Sequence, residues 1–201
     1  FARGNTDTDN VNAKFDLSRE AGSWKNAFGA AALRAADSGR KTAQRWDVNW
    51  QTNYAFAPRS YWFGGLRYED DRFSGFDYQA SVTTGVGHKF IDTDRTKFLG
   101  QVGAGYRQQK VDLTGRKLND TVFRGDLAYE HKFTDTTKLV DKLLVEAGSN
   151  NTFSQNDLAL EVSMTSKLAL AVGFQYRYNS DPPAGRKSSD TLTTVNFVYN
   201  L

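Results

Sequence analysis

The chain has 201 residues, a formal net charge of +3 and no cysteine. That fits one domain and excludes a disulfide framework or a cysteine zinc site; without basic blocks it also excludes nucleic acid as a partner. Mean hydropathy is −0.61, as in a soluble chain, yet 13% of residues are aromatic and there are 17 Gly beside only 3 Pro.

No run approaches the ~18 apolar residues of a spanning helix, so a helical membrane protein is excluded. A barrel with a polar lumen shows only every second residue to lipid, which dilutes its apolar signal by half. The chain opens at Phe1 with no secretory leader, the expectation for a mature or trimmed product.

In chain order, strands are predicted at 9–20 and 24–37, followed by 43–56. There Trp46, Val48, Trp50 and Tyr54 alternate with Asp47, Asn49, Gln51 and Asn53, a period of two. A strand at 60–71 leads to one at 77–90, where Ala80, Val82, Val86 and Phe90 share a face opposite Gln79, Ser81, Thr83, Gly85, Gly87 and Lys89. Next come 97–110 and 120–133, the latter setting Leu127, Tyr129 and Phe133 against Asp126, Glu130 and Lys132. Strands at 138–149 and 154–164 precede the clearest run, 167–179. It places Leu168, Leu170, Val172, Phe174, Tyr176 and Tyr178 on one face. The last, 191–201, does the same with Val195, Phe197, Tyr199 and Leu201.

Connections alternate strictly between short (21–23, 57–59, 91–96, 134–137, 165–166) and longer polar or Gly-containing ones (38–42, 72–76, 111–119, 149–153, 180–190). Brief periplasmic turns and longer extracellular loops produce this alternation in outer membrane barrels. The fold expected is an all-β, antiparallel, up-and-down transmembrane β-barrel forming one domain over residues 1–201. Single-chain bacterial barrels have even strand counts, so twelve strands are expected, the first largely upstream with Phe1 and Ala2 as its tail. Trp24, Phe56, Phe90 and Phe133 all neighbour short turns and mark a membrane-interface girdle. A soluble sandwich or ligand-binding barrel would instead bury the apolar parity.

The segments RGNTDT (3–8), YEDDRFSGFDYQ (68–79), GVGHKF (85–90), GQVGAGYR (100–107) and YNSDPPAGRKSSDT (178–191) resemble, in the same order and over essentially the whole chain, a bacterial family of unknown function. Its members are YdiY-like proteins described as salt-induced outer membrane proteins. The resemblance implies the bacterial outer membrane as location and a barrel as fold, with the lipid bilayer, lipopolysaccharide and the barrel assembly machinery as partners. It brings no activity, cofactor or catalytic residue.

Parity turns ten bases and eight acids into the lumen. The lumen-lining candidates are Arg45, Asp47, Arg67, Glu69, Arg107, Arg124, Asp126, Glu130, Glu161 and Arg177. Unpaired charges in a narrow lumen are costly, so the arginines are expected to pair, bidentately where geometry allows, with Glu69, Asp126, Glu130 or Glu161. Both a plugged interior and a selective pore for small ions or solutes fit this pattern.

Gly85, Gly87, Gly103 and Gly105 lie within strands with no helix following, so they relieve crowding rather than cradle phosphate. His88 and His131 stand two residues before Phe90 and Phe133 on the outward parity. A membrane-embedded, phospholipase-like hydrolase is the alternative they raise, against ordinary interfacial histidine. Glu69, Asp70 and Asp71, with Asp7 and Asp9 at the same end, could bind a divalent cation or form a solvated rim. No cofactor is expected. These features together lead to the expectation of a narrow pore or a structural, stress-related envelope protein without catalysis.

Overall fold

The computed structural model describes residues 8–37, 40–72 and 74–199. They form β1 (Thr8–Ala21), β2 (Trp24–Asp37), β3 (Arg40–Ala55), β4 (Ser60–Asp71), β5 (Phe76–Asp92) and β6 (Thr96–Val111). These continue into β7 (Lys117–Lys132), β8 (Thr137–Gly148), β9 (Thr152–Ser163), β10 (Leu168–Asn179) and β11 (Ser189–Tyr199). Every strand pairs antiparallel with its chain neighbours in one eleven-stranded sheet. All eleven predicted strands are present, displaced by at most about three residues. The largest displacements, three residues, are at the starts of β3 and β7; β7 begins at Lys117 because Lys110 pairs Lys117 and carries the ladder upward.

The sheet is sided the opposite way from a soluble one. Outward-facing Phe197, Phe123 and Val102 are 74%, 72% and 65% exposed. Inward-facing Arg107 and Glu146 are 1% and 0% exposed. A soluble ligand-binding barrel requires the reverse, because water rewards burial of apolar rather than charged surface. Among the described residues the larger hydrophobic side chains packed inside are Tyr61, Phe63, Phe76, Val122 and Phe153.

Hydrogen bonds between distant strands show how far the sheet curls. Arg177 of β10 reaches Asp71 of β4 at 3.1 Å, and Arg45 of β3 reaches Gln175 of β10 at 2.8 Å. Glycine permits tight packing within this curl: a Cβ on Gly87 would lie 2.3 Å from the Tyr61 ring, and one on Gly103 2.9 Å from that of Phe63. Crowding relief is thus the role these glycines take, as expected.

Among the described residues no ladder joins β1 to β11. Lys14 and Asp16, which have lumen parity on β1, pair at 3.5 Å yet stay 64% and 66% exposed. The predicted twelfth strand, with Phe1 and Ala2, lies outside the described residues.

Candidate functional site

Period-two geometry places Arg67, Glu69 and Asp71 of β4 on the inner face, one above another. Glu69 is the hub. It accepts from Arg67 Nη2 at 2.9 Å and from Arg177 Nη2 at 2.5 Å, while the second Arg177 nitrogen donates to Asp71 at 3.1 Å. Arg67 turns its other nitrogen to Glu146 of β8 at 3.3 Å, and Ser81 donates to the same carboxylate at 3.2 Å. The guanidiniums of Arg67 and Arg177 lie 4.3 and 5.1 Å from the Phe153 ring centroid, so an apolar face supports the charged layer.

Arg107 extends this lattice toward the long loops. It lies 3.5 Å from Asp120 and 3.9 Å from Glu146, and donates to the Asn151 carbonyl. Asp120 also accepts from Ser149 Oγ at 2.8 Å and from the Asn150 amide nitrogen at 3.2 Å, tying the β8–β9 loop down. Lower in the lumen Arg124 forks onto Asp126 at 2.8 and 2.9 Å and donates to Thr83 at 2.9 Å. Each of these buried charges has a partner, which is the condition for keeping it out of water.

The long-loop end is closed further by backbone. Gly75, at φ +86°, sits beneath the β10–β11 loop; a Cβ there would lie 2.9 Å from both Pro183 and Arg186. Its carbonyl accepts from the Asp112 amide at 3.0 Å, and the Asp181 amide donates to Asn151 at 3.1 Å. Four loops therefore knit over one mouth.

Of the arginine partners expected from sequence, the lattice uses Glu69 and Asp126 but neither Glu130 nor Glu161. Glu161 takes Lys138 directly across the β8–β9 ladder at 2.9 Å. Glu130 makes no ion pair among the described residues, because it sits near the short turns, away from the arginine level. Arg45 finds Gln175 instead of a carboxylate, and Asp47 stands opposite Glu69 in register. Asp71, Asp120 and Glu146 complete the lattice. The signal for Asp71 and Asp120 is parity, continued inward from Glu69 and Asp126.

The acidic cluster is also reassigned. Glu69 and Asp71 are held by Arg177, Asp70 has the opposite parity, and no carboxylate group suited to a metal occurs among the described residues. Asp7 and the Asp9 side chain lie outside what is described.

At the other mouth, Lys25–Glu20 and Lys89–Asp92 pair at 2.7 and 3.0 Å. Lys97, Lys132 and Lys167 make no ion pair among the described residues. On the outer wall Trp24, Phe56, Phe90 and Phe133 are all exposed beside short turns. Phe90 contacts Phe98 at 5.4 Å, and Tyr129 and His131 continue the row toward Phe133. The imidazole Nδ1 of His88 meets Ser60 Oγ at 2.9 Å, and that of His131 meets Thr96 Oγ1 at 2.8 Å. Among the described residues no carboxylate or amide side chain bonds either ring.

The chain is similar to the uncharacterized protein YdiY of Escherichia coli (strain K12), 22% identical over 179 residues that span 89% of this chain and 68% of the relative. It is similar in fold to the solved NanC porin (rhombohedral crystal form), with a TM-score of 0.59, 13% identity, and coverage of 96% of this chain and 99% of that one. The family model described as "Protein of unknown function, DUF481" matches residues 1–201, and the chain belongs to that family.

Proposed function

We propose that this chain is an integral outer membrane β-barrel of a Gram-negative bacterium whose lumen is narrowed by an ion-pair lattice, a pore of low conductance without catalytic activity. The observation that carries this reading is the inverted sidedness: large apolar residues on the outside, buried arginines and carboxylates within. Lipid is the environment that rewards such a wall. The fold likeness to a porin supports the same reading. Its partners are then the lipid bilayer, lipopolysaccharide at the long-loop side and the barrel assembly machinery, with small ions or solutes as cargo.

Low conductance follows from the lattice, since Arg67, Arg177 and Arg107 span the lumen between β4, β10, β8 and β6. Anion preference follows from the slight excess of bases over acids facing the lumen, ten to eight by parity. The purified barrel in planar bilayers should show small single-channel steps and a reversal potential weakly favouring anions. Steps as large as those of a wide general porin would overturn the narrowed-lumen account. Solubility without detergent would overturn the barrel itself.

One observation favours a second reading, a membrane-embedded hydrolase: the Ser60–His88 hydrogen bond at 2.9 Å. The purified protein is expected to hydrolyse neither esters nor phospholipids. Hydrolysis that disappears in Ser60→Ala and His88→Ala would put the hydrolase in place of the pore.

A further inference from the structure

A hollow lies in the outer wall over β2–β6. Phe28, Trp50, Leu66, Val82 and Tyr106 stand opposite one another in register across those strands, and all five are exposed. In the next row toward the long loops Val48 and Ala80 flank Tyr68. Their short side chains among large rings leave a space of about 580 Å³. It reaches from β2 to β6, roughly 19 Å at the usual strand spacing.

The β6 corner of the hollow is polar. Gln108, which lines it, accepts from Tyr78 Oη at 2.7 Å and donates to Asn119 Oδ1 at 3.1 Å. Tyr78 stacks on Tyr68 at 5.9 Å, and Tyr68 lies 5.1 Å from Trp46, so aromatic rings border the hollow on its long-loop side. Two residues beyond Gln108, on the same face, Lys110 stands directly opposite Lys117. Like charges so placed repel. Asp77 takes Lys110 at 2.6 Å, whereas Lys117 is exposed and makes no ion pair among the described residues. Asp70 lies two strands away on β4, opposite Trp46, and Asp112 and Arg116 lie in the loop above.

Resting on the membrane-barrel reading, we propose that this face seats one lipopolysaccharide molecule, its acyl chains in the hollow and one lipid phosphate between Lys110 and Lys117. The long-loop side is then the outer one, where that lipid forms the leaflet. A phosphate there relieves the repulsion across the ladder through charge-assisted bonds. Two features favour this lipid over a phospholipid. The hollow spans five strands, room for several chains abreast. Gln108 and Asn119 beside the lysines offer amide groups suited to sugar hydroxyls.

The test is native mass spectrometry of the detergent-folded barrel with diphosphorylated lipid A, in parallel with dephosphorylated lipid A and with phosphatidylglycerol. The native chain should retain one diphosphorylated lipid A and hold the other two lipids about tenfold more weakly. Lys110→Gln combined with Lys117→Gln should weaken retention by a similar factor. Ala80→Trp, which fills the hollow, should weaken it as well, and Lys25→Gln at the opposite mouth should leave it unchanged. Each variant is compared as the heat-modifiable, folded species. Retention unaltered in the lysine variant, phosphatidylglycerol held as tightly as lipid A, or a folded native barrel that retains no lipid A would overturn the proposal. A chain that does not fold in detergent at all would instead overturn the membrane reading beneath it.

Discussion

Arg177 and Glu69 stand 2.5 Å apart across the lumen although 108 residues separate them in the chain. Both are almost completely buried, so neither can be released to water without opening the wall. Removing one partner of such a pair costs about 3–5 kcal/mol, whereas removing both can be nearly neutral. Arg177→Met and Glu69→Gln should each lower the stability of the detergent-folded barrel by that order in urea titrations. The double variant should recover much of the loss. Additive losses would show that the two side chains are not energetically coupled.

Arg124 and Arg107 test the lumen electrostatics. Arg124→Ala leaves Asp126 without its fork, and Arg107→Ala leaves Asp120 and Glu146 short of a cation. Two positive charges are lost, Asp126 and Asp120 are left without a cation and Glu146 keeps only Arg67, so the double variant should conduct more and its reversal potential should move toward cations. A preference that stays on the anion side would place selectivity at the lysine mouth alone.

The sidedness of the wall can be read with a probe. Val172 is exposed on the outer face, while Gln175 bonds Asp157 at 2.6 Å inside. An environment-sensitive label on Val172→Cys should be quenched by brominated lipid and one on Gln175→Cys should not. Likewise Phe123→Arg should destabilise the barrel by roughly 2–4 kcal/mol if that residue lies near the bilayer midplane. On a water-facing wall it would be close to neutral.

Gly75→Ala addresses the closed mouth. An L-residue at φ +86° is strained by roughly 1–2 kcal/mol, and its Cβ would meet Pro183 and Arg186 at 2.9 Å. The β10–β11 loop should lift, raising both conductance and cleavage by added protease within 180–188. Unchanged conductance would mean that the loop does not limit the passage.

What was legible in the sequence follows from where the lipid is. The run from Leu168 to Tyr178 alternates cleanly because one face of β10 meets an apolar medium and the other does not. Lys117 to Asn119 carries no such contrast, so the start of β7 was invisible although its ladder is regular. Parity also named most of the lumen charges. It could not say that Arg177 would choose Glu69 over Glu161, since cross-lumen distances depend on how tightly eleven strands curl. The His–hydroxyl pairs escaped for a related reason: register, not residue type, brings Ser60 to His88.

Because every ladder among the described residues joins strands adjacent in sequence, the wall can be built one hairpin at a time, each step closing only a short loop at small entropic cost. The bonds from β4 to β8 and β10 obey a different schedule. They require six intervening turns to be in place before Arg177 can find Glu69, so they belong to the last event of folding. An interior charge mismatch would accordingly spare the early hairpins and stall the chain late, as a nearly complete sheet with its arginines still hydrated.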